Sequence, residues 1–339
     1  SDEVLTMWRL LGCAAVAGAL SAAPAAKPVK TVLVTGATGR VGRLVVDSLL
    51  RQDLAVTAVT RDAARARTLL PAACTVVEYG GLADAVPSAA FSELCASIDG
   101  VIWCATGFSP AGESVDVAGI TQLCGALESR TKFVMLSSAG VTRPAWADEK
   151  KERLAGAADI PIIRLNPGGI LGLKVVAEDV LRASALRYSV VRPTGLKDEW
   201  PRGRSVFSQG DVAVGRTNPA DLADALVDVL LDGGAADGKT FEMFTLAGYP
   251  APRLKTALGR LRLDSAGPLD DGAVDAAYAL LQQLLPGEQQ DPTQLEMGQT
   301  YEQLDRGEAG RERNAPATER EQNLAGKLFK PEKRFFGLF

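Results

Sequence analysis

One octapeptide constrains the fold of this chain more than any other stretch. TGATGRVG, Thr35 to Gly42, follows the short β-branched run TVLVT (Thr31 to Thr35) and opens RLVVDSLLRQ (Arg43 to Gln52), whose apolar residues recur at helical spacing. A G-x-x-G-x-x-G spacing between a strand and a helix is the form of a phosphate cradle. Gly36 permits the tight turn, Gly39 lets the backbone approach a pyrophosphate, and Gly42 lets the helix pack closely. The helix N-terminus then turns free N–H groups and a partial positive charge toward the phosphates, with Thr38, Arg40 and Val41 lining the turn. The motif predicts a strand–turn–helix unit that binds a dinucleotide.

Downstream, strand-like and helix-like segments alternate, the pattern that builds a parallel sheet with helices on both faces. Strands are expected at Ala55 to Thr60, Cys74 to Tyr79, Gly100 to Thr106, Lys132 to Ser138, Tyr188 to Pro193 and Lys239 to Leu246. Helices are expected at Ala64 to Leu70, around Ile120 to Leu127, at Leu173 to Ala183 and at Ala220 to Asp232. The fold class this predicts is α/β, a doubly wound parallel sheet (Rossmann fold), as a single domain over residues 30–250 with a C-terminal extension over 251–339. The extension holds one expected helix, Val274 to Leu285, and then a stretch from Gly287 to Lys327 too polar to bury the surface that ordering requires. That linker ends in KLFKPEKRFFGLF, Lys327 to Phe339, where basic and phenylalanine side chains mix. Such a tail docks on the chain's own surface or enters a partner's groove or a membrane interface.

Residues 1–29 form a different kind of segment. Trp8 and Arg9 precede a small-residue apolar run, Leu10 to Leu20, that ends in SAAPAA, the order of an export signal. Gly12, Gly18, Ser21 and Pro24 dilute it, and it falls short of the roughly 20 strongly apolar residues a bilayer requires. A targeting or anchor segment is expected, the alternative being an alanine-rich helix packed on the body. Composition narrows the chemistry. None of the 339 residues is histidine, which removes the commonest general base, serine–histidine triads and most zinc sites, and no metal is expected. The net charge of -4 provides no basic field for nucleic acid. The five cysteines, odd in number and widely spaced, read as free thiols.

At the end of the second strand an NAD-preferring protein offers an acid to the ribose hydroxyls, whereas here Thr60 is followed by Arg61. A charge-assisted bond from Arg61 to a 2'-phosphate contributes about 1.5 to 3 kcal/mol, enough to favour NADP(H), and Arg40 can add a second. The preference reverses if the Asp62 carboxylate, next in the chain, faces the ribose instead.

The glycine loop, VIWCATGF (Val101 to Phe108), FVMLSSAGV (Phe133 to Val141), KVVAEDVLRASALRYSVVRPTGL (Lys174 to Leu196) and the helix bearing Asp221 together resemble the NmrA-like atypical short-chain dehydrogenase/reductases, in particular their plastid members in plants and algae. The resemblance spans Lys30 to Leu246. It implies that Ala105, Thr106 and Gly107 line the cofactor cleft and that Ser137 and Ser138 occupy the place of the catalytic serine. It also implies that Lys174 is the active-site lysine touching the ribose, and that Pro193, Thr194 and Gly195 pass beside the nicotinamide. From the residues alone, Lys174 also reads as a solvated helix charge and Ser138 as a turn cap. Two departures stand out. Ile170 lies four residues before Lys174, where active members carry the tyrosine acid/base, and Gly81 lies where relatives have an aspartate reaching the adenine. Loss of a positioned proton donor costs about 10² to 10⁴ in rate.

Two functions follow. One is an NADP(H)-bound scaffold, assembly factor or redox sensor at a plastid membrane complex, thylakoid-associated, with the tail as its contact. The other is an NADPH-dependent reductase of a flavin, quinone or conjugated small molecule, with the proton from water or Ser138. The resemblance implies a plastid location, with the secretory pathway, which the order of the N-terminal segment suggests, as the alternative.

Overall fold

The structure, a computed structural model, describes residues 28–84, 86–158, 160–247 and 254–284. The expected targeting segment, the polar linker and the basic-aromatic tail lie outside the described residues. The strands are β1 (Thr31–Thr35), β2 (Ala55–Thr60), β3 (Thr75–Glu78), β4 (Gly100–Trp103), β5 (Lys132–Leu136), β6 (Arg187–Pro193), β7 (Gly195–Leu196), β8 (Gly203–Ser208), β9 (Arg216–Thr217) and β10 (Lys239–Ala247). The main helices are α1 (Arg40–Leu50), α2 (Ala63–Leu69), α3 (Ala89–Ala96) and α4 (Val115–Ala126). Three short ones follow, α5 (Asp148–Arg153), α6 (Ala155–Ala158) and α7 (Pro161–Leu165), and then α8 (Ile170–Ala183), α9 (Pro219–Leu231), α10 (Leu254–Gly259) and α11 (Asp271–Leu284).

Eight strands form one sheet in the order β3-β2-β1-β4-β5-β6-β10-β8, parallel except where β8 pairs antiparallel with β10. The two-residue period of a strand divides the core between the faces. Val32 and Val34 of β1, Ile102 of β4 and Val134 of β5 pack with Val45 and Leu49 of α1 and Leu222 and Leu226 of α9. Their sequence neighbours Leu33, Val101, Phe133 and Met135 turn the other way, onto Ile120 and Leu123 of α4 and Ala177 and Leu181 of α8. Because helices cover both faces, these strands are apolar throughout rather than alternating. The chain winds outward from β1 in both directions, and the reversal leaves a crevice at the carboxyl ends of β1 and β4, where doubly wound sheets bind their ligands.

Several elements begin or end differently from the sequence expectation, each for a local reason. β4 stops at Trp103 because residues 104–107 turn over the glycine loop, and Cys104 N still donates to Thr35 O at 3.2 Å. β5 stops at Leu136, although Ser137 N reaches Val191 O at 2.8 Å. α4 starts at Val115, where Ser114 caps it by accepting from Val117 N. α3, capped by Ser88, and the edge strand β8 are not expected from the sequence: α3 buries only Phe91 and Cys95, and β8 is polar and half-buried. Packing also carries the body past residue 250. Leu258 is buried in the α1/α9 layer, and Val274 and Leu281 of α11 pack with Trp146, Leu154 and Phe244. Among the described residues no helix is long and apolar enough to cross a membrane.

Candidate functional site

The glycine turn joins β1 to α1 at the crevice. Gly36 has φ +63°, and a Cβ there would stand 2.5 Å from the Cys104 carbonyl carbon and oxygen and 2.6 Å from Ala105 N. A Cβ on Gly42 would stand 2.2 Å from Gly36 O. Both glycines are therefore required by the close approach of three backbone segments. Gly39 is the N-cap of α1, in extended conformation, with its N–H donated to Gly36 O at 2.9 Å and no side chain capping the first turn. Amides of that turn thus remain for an anion, and the donor set fits a dinucleotide pyrophosphate. Thr38 is half-buried, while Val41 is buried in the core, so Val41 can serve a ligand only through its backbone.

At the end of β2, Arg61 is exposed, and Asp62 is spent on the next helix. Its carboxylate caps α2, accepting from Arg65 N at 2.9 Å, while Thr60 Oγ1 accepts from Asp62 N at 3.2 Å. Arg40 is turned toward the segment after β7, where its Nε donates to Asp198 Oδ1 at 2.8 Å. In front of Gly81, where the resemblance leads one to expect an aspartate, lies the Asp84 carboxylate, 2.5 Å from where a Cβ would be. Gln122 fixes this turn, donating to Gly81 O and Asp84 O and accepting from Tyr79 OH, whose ring stacks on Phe91.

The loop after β4 carries a buried polar couple that sequence reasoning missed. Asp116, in the first turn of α4 and 1% exposed, accepts from Thr106 Oγ1 at 2.8 Å, from Lys174 Nζ at 3.1 Å and from Trp103 Nε1 at 3.4 Å. Lys174, on α8, is equally buried, so its ammonium is neither a solvated helix charge nor turned outward. Thr106 is half-exposed beside Ala105, whose N–H donates to Thr35 Oγ1 at 3.4 Å, and beside the buried Gly107 at φ +110°. Cys104 lies beneath, and burial pushes its thiol up to about 12, against a small opposite pull from Lys174.

A second couple sits under the end of β5. Ser137 Oγ donates to Glu178 Oε1 at 2.6 Å, and Arg192 and Arg182 both reach Glu178 Oε2, at 2.5 and 2.7 Å. Burial alone would raise the Glu178 carboxyl, but Arg192, Arg182 and the Ser137 hydroxyl together hold it below its ordinary value. Ser138 is buried and donates to Ala139 O at 3.0 Å. Pro193 O accepts from Ala139 N at 2.9 Å, Thr194 Oγ1 lies 2.9 Å from Thr217 Oγ1, and Gly195 is exposed. Ile170, first residue of α8, is buried against Val141 and Leu171.

The structure thus gathers the glycine turn and the loops after β4, β5 and β6 along the sheet's carboxyl edge, while Ser137, Ser138 and Lys174 point into buried bonds. Asp116 carried one legible signal, a lone carboxylate inside the apolar run Val115–Ala126, and Glu178 another, four residues after Lys174 on one helix face.

Residues 36–233 match the family described as NAD(P)H-binding. A chloroplast protein of Arabidopsis thaliana, itself uncharacterised, is 30% identical over 211 residues, 60% of this chain and 72% of that protein. The solved structure of a Bacillus halodurans protein assigned as an NAD-dependent epimerase/dehydratase is 26% identical, with 67% of this chain and 98% of that one covered and a TM-score of 0.52. That of an oxidoreductase from Lactococcus lactis is similar in fold, 21% identical, with 67% and 94% covered and a TM-score of 0.50. With a mostly parallel sheet wound both ways from a glycine turn whose first-turn amides have no side-chain cap, the chain belongs to the NAD(P)H-binding family of Rossmann proteins.

Proposed function

We propose that this is a plastid NADP(H)-binding protein that keeps the cofactor cleft of the short-chain dehydrogenase/reductases without their tyrosine-dependent chemistry, and that it acts as a scaffold, assembly factor or redox sensor at a thylakoid membrane complex. The observation that carries the reading is Ile170. Where the resemblance puts the tyrosine acid/base, four residues before Lys174, the chain has an aliphatic side chain packed against Val141 and Leu171, which neither gives nor takes a proton. The glycine turn would hold the pyrophosphate and Arg61 the 2'-phosphate, with Asp62 withdrawn into its helix cap. Plastid placement is supported by the chloroplast relative from Arabidopsis. Contact with the complex is assigned to the tail, Lys327 to Phe339, whose deletion should lower co-sedimentation with thylakoid membranes while thermal stability holds.

One arrangement favours a second reading, a reductase of a flavin, quinone or conjugated acceptor. Bound NADPH supplies a hydride. Thr106 presents a hydroxyl fixed by the Asp116 carboxylate, which Lys174 also holds, so the acceptor can be oriented at that hydroxyl while its proton is taken from water or from Ser138. Steady-state NADPH oxidation across flavins, quinones and enones separates the two. Turnover above about 1 s⁻¹, the low end for ordinary enzymes, overturns the scaffold reading in favour of the reductase.

A further inference from the structure

Arg40 opens α1 at the glycine turn, yet its guanidinium is bound to a residue that follows β6, three strands away from β1. Nε donates to Asp198 Oδ1 at 2.8 Å, with the arginine side chain 15% exposed and the aspartate 66%. Asp198 lies just beyond β7, on a segment that leaves the carboxyl end of β6. In the sheet order β1-β4-β5-β6 that end is three positions from β1, and neighbouring strands lie roughly 4.8 Å apart. The segment therefore reaches back along the edge where the ligand crevice opens.

The carboxylate is presented from a fixed turn. Lys197 N donates to Thr217 O at 3.1 Å, Trp200 N to Lys197 O at 3.2 Å and Trp200 Nε1 to Thr245 O at 3.1 Å. Beyond it, Arg202 is held by Asp221 at 2.7 Å and Asp224 at 2.6 Å. Asp198 and Glu199, between these anchors, are exposed.

We propose that Asp198 is a built-in competitor for the cofactor's phosphate at Arg40. In the structure the carboxylate holds the guanidinium. A phosphate offers a guanidinium the same forked acceptor geometry, with more charge as a 2'-phosphate or with the uncapped amides of the turn holding it as a pyrophosphate, so it takes Arg40 over. Asp198 then turns to water, at little cost because it is already largely solvated. The pair makes the site discriminate by phosphate charge, since an anion must outbid a carboxylate already in place. The inference rests on the NADP(H)-binding reading. The displacing group is a phosphate of the cofactor, the 2'-phosphate or the pyrophosphate.

Calorimetry with NADPH and with NADH on the unmodified chain, Asp198→Asn, Arg40→Ala and the double variant tests it. Asp198→Asn should tighten binding by roughly two- to fivefold, the range of an exposed ion pair. Arg40→Ala should weaken it by about tenfold or more. In the Arg40→Ala background, Asp198→Asn should change nothing, because the competition acts only through the guanidinium. Tightening of NADPH alone assigns the 2'-phosphate, and equal tightening of both cofactors assigns the pyrophosphate. Unchanged or weaker binding in Asp198→Asn overturns the competitor role. So does equal tightening with and without Arg40, which reports only removal of a negative charge near an anion. If the unmodified chain binds neither cofactor, the NADP(H) reading falls and the competitor with it. A thermal melt of each variant checks that the fold is intact.

Discussion

Replacing Lys174 by Met separates two roles that its position allows. The family pattern puts the ammonium on the cofactor ribose, whereas the structure buries the side chain, 2% exposed, with Nζ 3.1 Å from Asp116 Oδ1. Methionine keeps most of the stem's volume and removes the charge. Asp116 is then left as a buried carboxylate with the neutral donors Thr106 and Trp103 at 2.8 and 3.4 Å. Breaking one side of a buried pair costs about 3–5 kcal/mol, and two remaining donors place this case near the lower end, about 3 kcal/mol. For a body of this size about 1 kcal/mol moves Tm by roughly 2–4 °C, so a fall of about 6–12 °C is expected. Urea unfolding followed by circular dichroism measures the loss directly, and the double variant Asp116→Asn/Lys174→Met, with no charge left buried, should recover most of it. NADPH affinity is measured alongside. If Lys174→Met melts within about 2 °C of the unmodified chain while NADPH affinity falls tenfold, the ammonium serves the ribose and the buried pair is not what holds it.

Arg61→Ala should remove most of an NADPH preference over NADH worth about 10- to 150-fold, the equivalent of 1.5 to 3 kcal/mol; equal affinities in the unmodified chain would contradict this. Gly36→Ala combines a left-handed backbone, costing about 1–2 kcal/mol, with a Cβ 2.5 Å from the Cys104 backbone, so both stability and NADPH binding should fall. Retention of both in a melt and a titration would mean that the turn is not rigid. Glu178 is held below its ordinary value of 4.5, so its contribution is complete above pH 4.5 and lost as pH falls through its folded-state value. Urea unfolding from pH 7 to pH 3 should show that decline, and Glu178→Gln should make it shallower by up to one proton; an identical slope would contradict the assignment. Cys104, pushed up to about 12, should resist alkylation at pH 8 in the folded chain and react after unfolding, as mass spectrometry of the labelled peptide would report.

The sheet and the phosphate turn were legible in the sequence because both are short-range. A strand needs only a few β-branched residues, a parallel sheet needs only repeated strand–helix alternation, and the turn at Gly36 and Gly42 is set within eight residues. Polar or weakly patterned elements escaped. α3 has too small an apolar face, and β8 exists because β10 offers it an edge. The side-chain partners were decided only by tertiary packing. Lys174 and Asp116 are 58 positions apart and meet because α8 packs on α4, Arg40 and Asp198 are 158 apart, and Glu178 meets Arg192 only where α8 lies against β6. Only the family resemblance pointed Lys174 toward the cleft; its residue type and helix position by themselves read equally as a solvated charge. Whether its charge is spent inside the protein or kept for a ligand depends on which carboxylate another helix brings to it, and burial, by stripping away water, makes that pairing obligatory.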